Sequence, residues 1–224
     1  MAITKQHLLL IDLDGVLVVE AEPPAVPSRE LLLLHENLHR HLAGMAARKV
    51  ILTHRSRREA GAILKALRLE APLIEGYLAA EDLFAVAWRE VGAFGLFRGG
   101  LRKSAMLGAL EDRLSMKRTN FAIIDDNRIN IDGMLAHGIG LALHAPIGLA
   151  GGELISFDWS AADKALVEWS AGSPQALVSL PEVNRPLERW QSTGIHTRRE
   201  GQHLFNAVRL AGHRLRRAFG HHAQ

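Results

Sequence analysis

The chain has 224 residues, 48% hydrophobic and 23% charged, a balance that suits a soluble globular protein and excludes a disordered or fibrous one. It contains no cysteine, which removes disulfides, thiolate nucleophiles and cysteine-held zinc or iron–sulfur centres. The formal net charge of +3 is unevenly placed: from Asn184 onward eight arginines face only Glu188 and Glu200, so the residues before them are net acidic.

Lys5 precedes the apolar run Leu8 to Ile11, but Asp12 and Asp14 interrupt that run before a signal-peptide core is complete. No stretch reaches the roughly 20 apolar residues that a membrane span needs. A cytoplasmic protein is expected. Short apolar runs at His7 to Asp12, Lys49 to Thr53, Pro72 to Gly76, Phe121 to Asp125 and Ile139 to His144 read as buried strands. A helix is expected from about Ser28, with Leu31, Leu34, Leu38 and Leu42 along one face. A second starts at Ser56-Arg57-Arg58-Glu59, a capping box. Further helices are expected over Glu81 to Glu90, Leu101 to Leu114 and Ile129 to His137, with glycine-rich Gly92 to Gly100 loosening the middle.

Strands alternating with helices imply a parallel sheet covered on both faces, so residues 1–146 are expected to form a three-layer, doubly wound α/β domain. Residues 147–224 form an extension. Its first part, through Pro186, reads as an irregular bridge rich in Gly, Ser and Pro. From Gln202 the series Leu204, Val208, Ala211, Leu215 and Phe219 follows a helical repeat, with Arg209, Arg214, Arg216 and Arg217 largely off it. That is a basic amphipathic helix.

Ligands of doubly wound sheets bind at the carboxyl ends of the strands. Here those ends are chemically concentrated. The first strand ends in Asp12-Leu13-Asp14-Gly15, the second in Thr53 and the fourth in Asp125-Asp126, while Lys103 opens the helix before the fourth. Asp12 and Asp14 can point into one cleft if Gly15 turns the chain sharply. Like charges this close need compensation, which a hard divalent cation such as Mg2+ supplies through oxygen ligands.

The ordered segments DLDGVL, ILT, a separated lysine and IIDDN resemble the four signature motifs of the haloacid dehalogenase (HAD) superfamily over residues 7 to about 145. The resemblance implies a phosphatase. Asp12 would be the nucleophile that forms an aspartyl phosphate. Asp14 would protonate the leaving oxygen and then activate water. Thr53 would hold the phosphoryl group, and Lys103 would neutralise charge on the nucleophile and the phosphate. Mg2+ would be held by the Asp12 carboxylate, the Asp14 backbone carbonyl and the fourth-motif acids, Asp126 directly and Asp125 from behind. Many relatives carry a further Asp four residues after the direct ligand; this chain has Asn130 there, with Asp132 nearby.

Only 38 residues separate Asp14 from Thr53, and 49 separate Thr53 from Lys103. The first gap holds a flap, Val16 to Pro27, and one helix. The chain thus resembles the capless group. An open site of this kind admits bulky phosphorylated substrates, or is closed by the C-terminal segment or by a second subunit in a homo-oligomer. The basic terminal helix can bind nucleic acid, which would suit a polynucleotide end phosphatase; a solvated arginine face is the simpler expectation. Two other readings compete. One is a HAD-like binding or scaffold protein with little turnover. The other is a zinc protease, since His35-Glu36-Asn37-Leu38-His39 matches H-E-x-x-H.

Overall fold

A computed structural model describes residues 7–21, 28–35, 37–150, 153–172, 176–186 and 191–198. The apolar run Leu8–Ile11 forms strand β1, buried along its whole length. It lies between β4 (Arg48–Leu52) and β6 (Phe121–Asp125), parallel to both. The sheet continues through β5 (Gly76–Leu78) on one side and β7 (Leu141–His144) and β10 (Leu177–Ser179) on the other. Its order is β10-β7-β6-β1-β4-β5, with every neighbouring pair parallel.

Alternation along each strand builds the layers, because successive side chains point to opposite faces. Leu9 and Ile11 of β1 join Ile51, Ile124 and Leu143 in one core. That core is covered by α1 (Leu38–Gly44), α2 (Arg57–Ala66) and α6 (Trp159–Ser170). Leu8 and Leu10 join Phe121, Ile123 and Ala142 in the second, under α3 (Ala80–Gly99), α4 (Met106–Leu114) and α5 (Arg128–Ala136). The result is a three-layer, doubly wound α/β fold. Helix α2 begins where its sequence signals: Ser56 accepts from the Glu59 amide and Glu59 returns a bond to the Ser56 amide. Caps of this kind contribute about 1 kcal/mol.

Several expectations are corrected. Residues Ser28–Leu33 form a strand, β3, and not the first turns of a helix. It pairs antiparallel with β2 (Val18–Ala21) on one side and β12 (Gln191–Arg198) on the other. Four consecutive leucines satisfy either period, and sheet pairing decides between them. Leu31, Leu34, Leu38 and Leu42 are all buried, but by an extended segment followed by a short helix.

The strand expected at Pro72 to Gly76 starts only at Gly76, because residues 70–74 form a turn closed by Leu73 and Ile74 amides on the Glu70 carbonyl. Lys103–Ala105 is a 3-10 turn ahead of α4, so the helix expected from Leu101 begins later. Helix α3 runs past Glu90, broken at Gly92, where φ is 63°. The bridge expected after Pro146 is ordered: it holds β8 (Gly148–Ala150), β9 (Glu153–Phe157), α6, β10 and β11 (Glu182–Pro186). Strands β11, β9 and β8 form a small antiparallel sheet, while β10 completes the edge of the main one beyond residue 146. The basic terminal helix lies outside the described residues. Among the described residues no helix is long and apolar enough to cross a membrane.

Candidate active site

The chain leaves β1 for β4 and β5 on one side, then returns to place β6, β7 and β10 on the other. The order therefore reverses between β1 and β6, which opens a crevice at their carboxyl ends. Asp12 and Asp125 stand at that crevice. Ile11 is opposite Ile124, the Asp12 amide donates to the Ile124 carbonyl at 3.0 Å, and Asp125 is the next residue along β6. On the other flank, Ile11 faces Ile51, two residues before Thr53.

Lys103 reaches this point from the 3-10 turn before α4. Its Nζ lies 2.7 Å from Oδ2 of Asp12 and 2.7 Å from Oδ2 of Asp125, and the side chain is fully buried. The Leu13 amide donates to Asp12 Oδ1 at 2.7 Å. Asp125 is enclosed by donors: beside Lys103 it accepts from the Asn127 amide at 2.9 Å and from the Asn130 side chain at 3.0 and 3.1 Å. Burial pushes the Asp12 carboxyl well above the ordinary range; Lys103 opposes this, while Asp125 and Asp14 reinforce it. Burial works to lower the pKa of Lys103, but the Asp12 and Asp125 carboxylates outweigh it and raise it.

Asp126 stands half-buried beside them. Burial first, and Asp125 second, raise its pKa to about 6. Carboxylate oxygens of Asp12, Asp125 and Asp126 all lie within 4.8 Å of one another. One ammonium cannot balance three carboxylates, and hard oxygen donors at this spacing match what a divalent cation such as Mg2+ requires. The residues therefore fit such a metal. With Asp125 committed to protein donors, Asp12 and Asp126 are the carboxylates left to face an ion. Gly15 makes room for Asp126: its φ is +72°, and a Cβ there would fall 2.3 Å from the Asp126 Cγ.

Thr53 is fully buried, and its Oγ1 accepts from the Arg55 amide at 3.1 Å, which leaves the hydroxyl hydrogen to donate elsewhere. The His54 ring Nε2 donates to the Leu101 carbonyl at 3.0 Å, tying this strand end to the loop before Lys103. Asp14 sits at the root of the flap, in a bridge with Val18, with the Gly15 amide donating to the Val18 carbonyl at 2.8 Å.

Sequence reasoning missed Arg55. Its Nε donates to both Asp14 oxygens at 2.9 Å, and its Nη2 reaches Asp14 at 2.5 Å and Glu20 of β2 at 2.6 Å. The two carboxylates outweigh burial and raise the Arg55 pKa further. A cation two residues after a strand-end threonine is a local signal, but its partners are 41 and 35 residues away in sequence. Buried Nη1 has no hydrogen-bond partner among the described residues.

The zinc-protease reading fails on geometry. Helix α1 starts at Leu38, so His35 precedes it and cannot share a helical face with exposed His39. His35 is turned into the core, where its Nε2 donates to the Val16 carbonyl at 3.1 Å and its ring packs edge-on to Phe157 and Trp159. Glu36 lies outside the described residues. Among the described residues the Asp12, Asp125 and Asp126 group is the one set of potential metal ligands.

No family model matches the sequence, and no curated protein matches it. Solved structures do resemble the chain. A haloacid dehalogenase-like hydrolase of Streptococcus pneumoniae is 12% identical, with a TM-score of 0.45 over 77% of this chain and 93% of that one. The 3-deoxy-D-manno-octulosonate 8-phosphate phosphatase of Moraxella catarrhalis, solved with magnesium, phosphate and its sugar acid, is 17% identical, with a TM-score of 0.39 over 62% of this chain and 68% of that one. A cobalt-bound deoxy-D-mannose-octulosonate 8-phosphate phosphatase from Haemophilus influenzae is 14% identical, with the same TM-score and coverage. Each likeness is one of fold alone.

Proposed function

We propose that the chain is a Mg2+-dependent phosphomonoester hydrolase of the HAD type, working through a phosphorylated Asp12. The observation that carries this reading is the convergence of Asp12, Lys103, Asp125 and Asp126 on the crevice where the strand order reverses.

An Asp12 carboxylate oxygen attacks phosphorus in line with the scissile bond. The bond from phosphorus to the leaving oxygen breaks as that oxygen takes a proton from Asp14. A water then attacks the aspartyl phosphate, giving its proton to Asp14, and the bond from phosphorus to Asp12 breaks to release phosphate, restoring the Asp12 carboxylate and the protonated form of Asp14. Thr53 donates its hydroxyl hydrogen to a phosphoryl oxygen during both steps. Lys103 spreads its charge over the nucleophile and the incoming phosphate, in a buried setting where a fixed charge acts strongly.

Asp12, Asp126 and the Asp14 backbone carbonyl would hold the metal, with Asp125 fixing Lys103 and the Asn127 turn behind them. When bound, Mg2+ would neutralise the phosphate so that an anionic carboxylate can approach it.

The test is hydrolysis of an aryl phosphate with and without Mg2+, wild type against Asp12→Asn, followed by sugar phosphates, nucleotides and 5′- or 3′-phosphorylated oligonucleotides. Turnover is expected to need Mg2+ and to fall at least about 10^3-fold in Asp12→Asn. Activity surviving that substitution refutes the mechanism.

A further inference from the structure

Arg55 has no place in the mechanism above, yet its guanidinium is buried against the group that must move two protons. Two of its nitrogens contact the Asp14 carboxylate, and one of these, Nη2, also contacts Glu20 on the flap strand β2. Its own backbone is fixed at both ends: the amide donates to Thr53 Oγ1 at 3.1 Å, and the carbonyl accepts from the Ala80 amide at 2.9 Å. The guanidinium is therefore a strut. It runs from the residue that holds the phosphoryl group to the residue that serves the leaving group, and onward to the flap.

We propose that Arg55 is a positioning residue for the phosphoryl-transfer reaction: its paired contacts on Asp14 and its ion pair with Glu20 set the direction of the Asp14 carboxylate relative to Thr53 and the flap. The inference rests on the phosphatase reading. Two features separate this from a salt bridge that only stabilises the fold. The Asp14 end is partly open, at 42% side-chain exposure, whereas the Arg55 side chain is at 5%, so the fixed partner is the arginine and the presented one is the acid. Glu20 extends the same strut to β2, whose partner β3 also pairs with the C-terminal strand β12, so the flap and the acid share one anchor. A forked guanidinium suits this task because it holds a carboxylate at two points and fixes its plane, which an ammonium cannot do.

The experiment is a mutant cycle on the full chain with Mg2+ present, reading kcat and KM separately for aryl and alkyl phosphates. Arg55→Gln is expected to lower kcat about 10^2-fold with KM changed less than threefold, and to penalise alkyl phosphates, whose leaving oxygens need the proton more, beyond aryl ones. Arg55→Lys is expected to recover part of the loss. Glu20→Gln, which leaves the Asp14 contacts in place, covers the case in which Arg55 variants do not fold; it is expected to give a smaller loss of the same kind. In an Asp14→Asn background, Arg55→Gln should cost less than threefold, because a residue that acts through Asp14 has nothing left to position. Equal losses in both backgrounds, or losses confined to KM, overturn the inference and leave the phosphatase reading standing. A wild type with no turnover on any phosphate ester overturns both.

Discussion

Asn130 donates its side-chain amide to both oxygens of Asp125, at 3.0 and 3.1 Å. Position 130, where the motif resemblance implies a further acid, is thus occupied by a donor that serves Asp125. A hydrogen bond to a charged group contributes about 1.5–3 kcal/mol, and a carboxylate in the same place would face Asp125 with like charge. Asn130→Asp is therefore expected to lower the melting temperature in chelator by more than Asn130→Ala does, and added Mg2+ should narrow the gap. Thermal unfolding of the three proteins with EDTA and with Mg2+ checks this. Equal melting points for Asn130→Asp and wild type in EDTA would contradict the role assigned to the amide.

Asp126 provides the pH dependence. Its folded pKa of about 6 lies above the ordinary 3.8, so the folded, metal-free state holds the proton more tightly than the unfolded chain. Stability from this group is present below pH 4 and is lost as pH rises toward 6, which is the sign for a raised carboxyl. A divalent cation binds the ionised form and reverses the loss. With a pKa of about 6, the ionised fraction falls about tenfold between pH 7 and pH 5, and Mg2+ affinity should fall by at least that factor. Calorimetric titration with Mg2+ at the two pH values, with proton release read from buffers of different ionisation enthalpy, measures it. Affinity independent of pH would remove Asp126 from the ligand set.

Gly15 answers to two constraints at once. Its φ of +72° costs a non-glycine residue about 1–2 kcal/mol, and the added Cβ would meet the Asp126 carboxylate at 2.3 Å. Gly15→Ala should keep the fold, seen in an unchanged near-ultraviolet spectrum, but lose more than tenfold in Mg2+ affinity. An alanine variant with wild-type affinity would show that Asp126 can move away without consequence.

How much could be read from the residues differs from element to element. Strands β1, β4, β6 and β7 sit where short apolar runs place them, because a strand buried on both faces is largely apolar and so stands out from its surroundings, although β4 opens with Arg48 and Lys49. Asp12, Asp14, Asp125 and Asp126 are legible as a set because each lies at a strand end or within three residues of one. The segment Ser28–Leu33 is different. Its leucines fit a helical stripe, and only the presence of β2 and β12 on either side makes the extended form the better one. Strand β10 has three residues, two of them exposed, and no internal pattern could announce it; it is a strand because the edge of β7 accepts it. Arg55 reads as one more cation in a basic stretch before α2, since what sets it apart is contact with Asp14 and Glu20 from another part of the chain.

The amino-acid sequence by itself determined the parallel α/β sheet and the supply of carboxylates, threonine and lysine at its strand ends, because burial and strand-end chemistry are local properties of a run of residues. Tertiary structure decided which of those groups meet. The reversal of strand order between β1 and β6 brings Asp12 beside Asp125, and the 3-10 turn before α4 carries Lys103 to within 2.7 Å of both. The pairing of β2, β3 and β12 builds the flap whose Glu20 shares Arg55 with Asp14. Charges act over a few ångströms of space and not along the chain, so their partners, their raised pKa values and their fit to a divalent cation come into being only when distant strand ends are packed together.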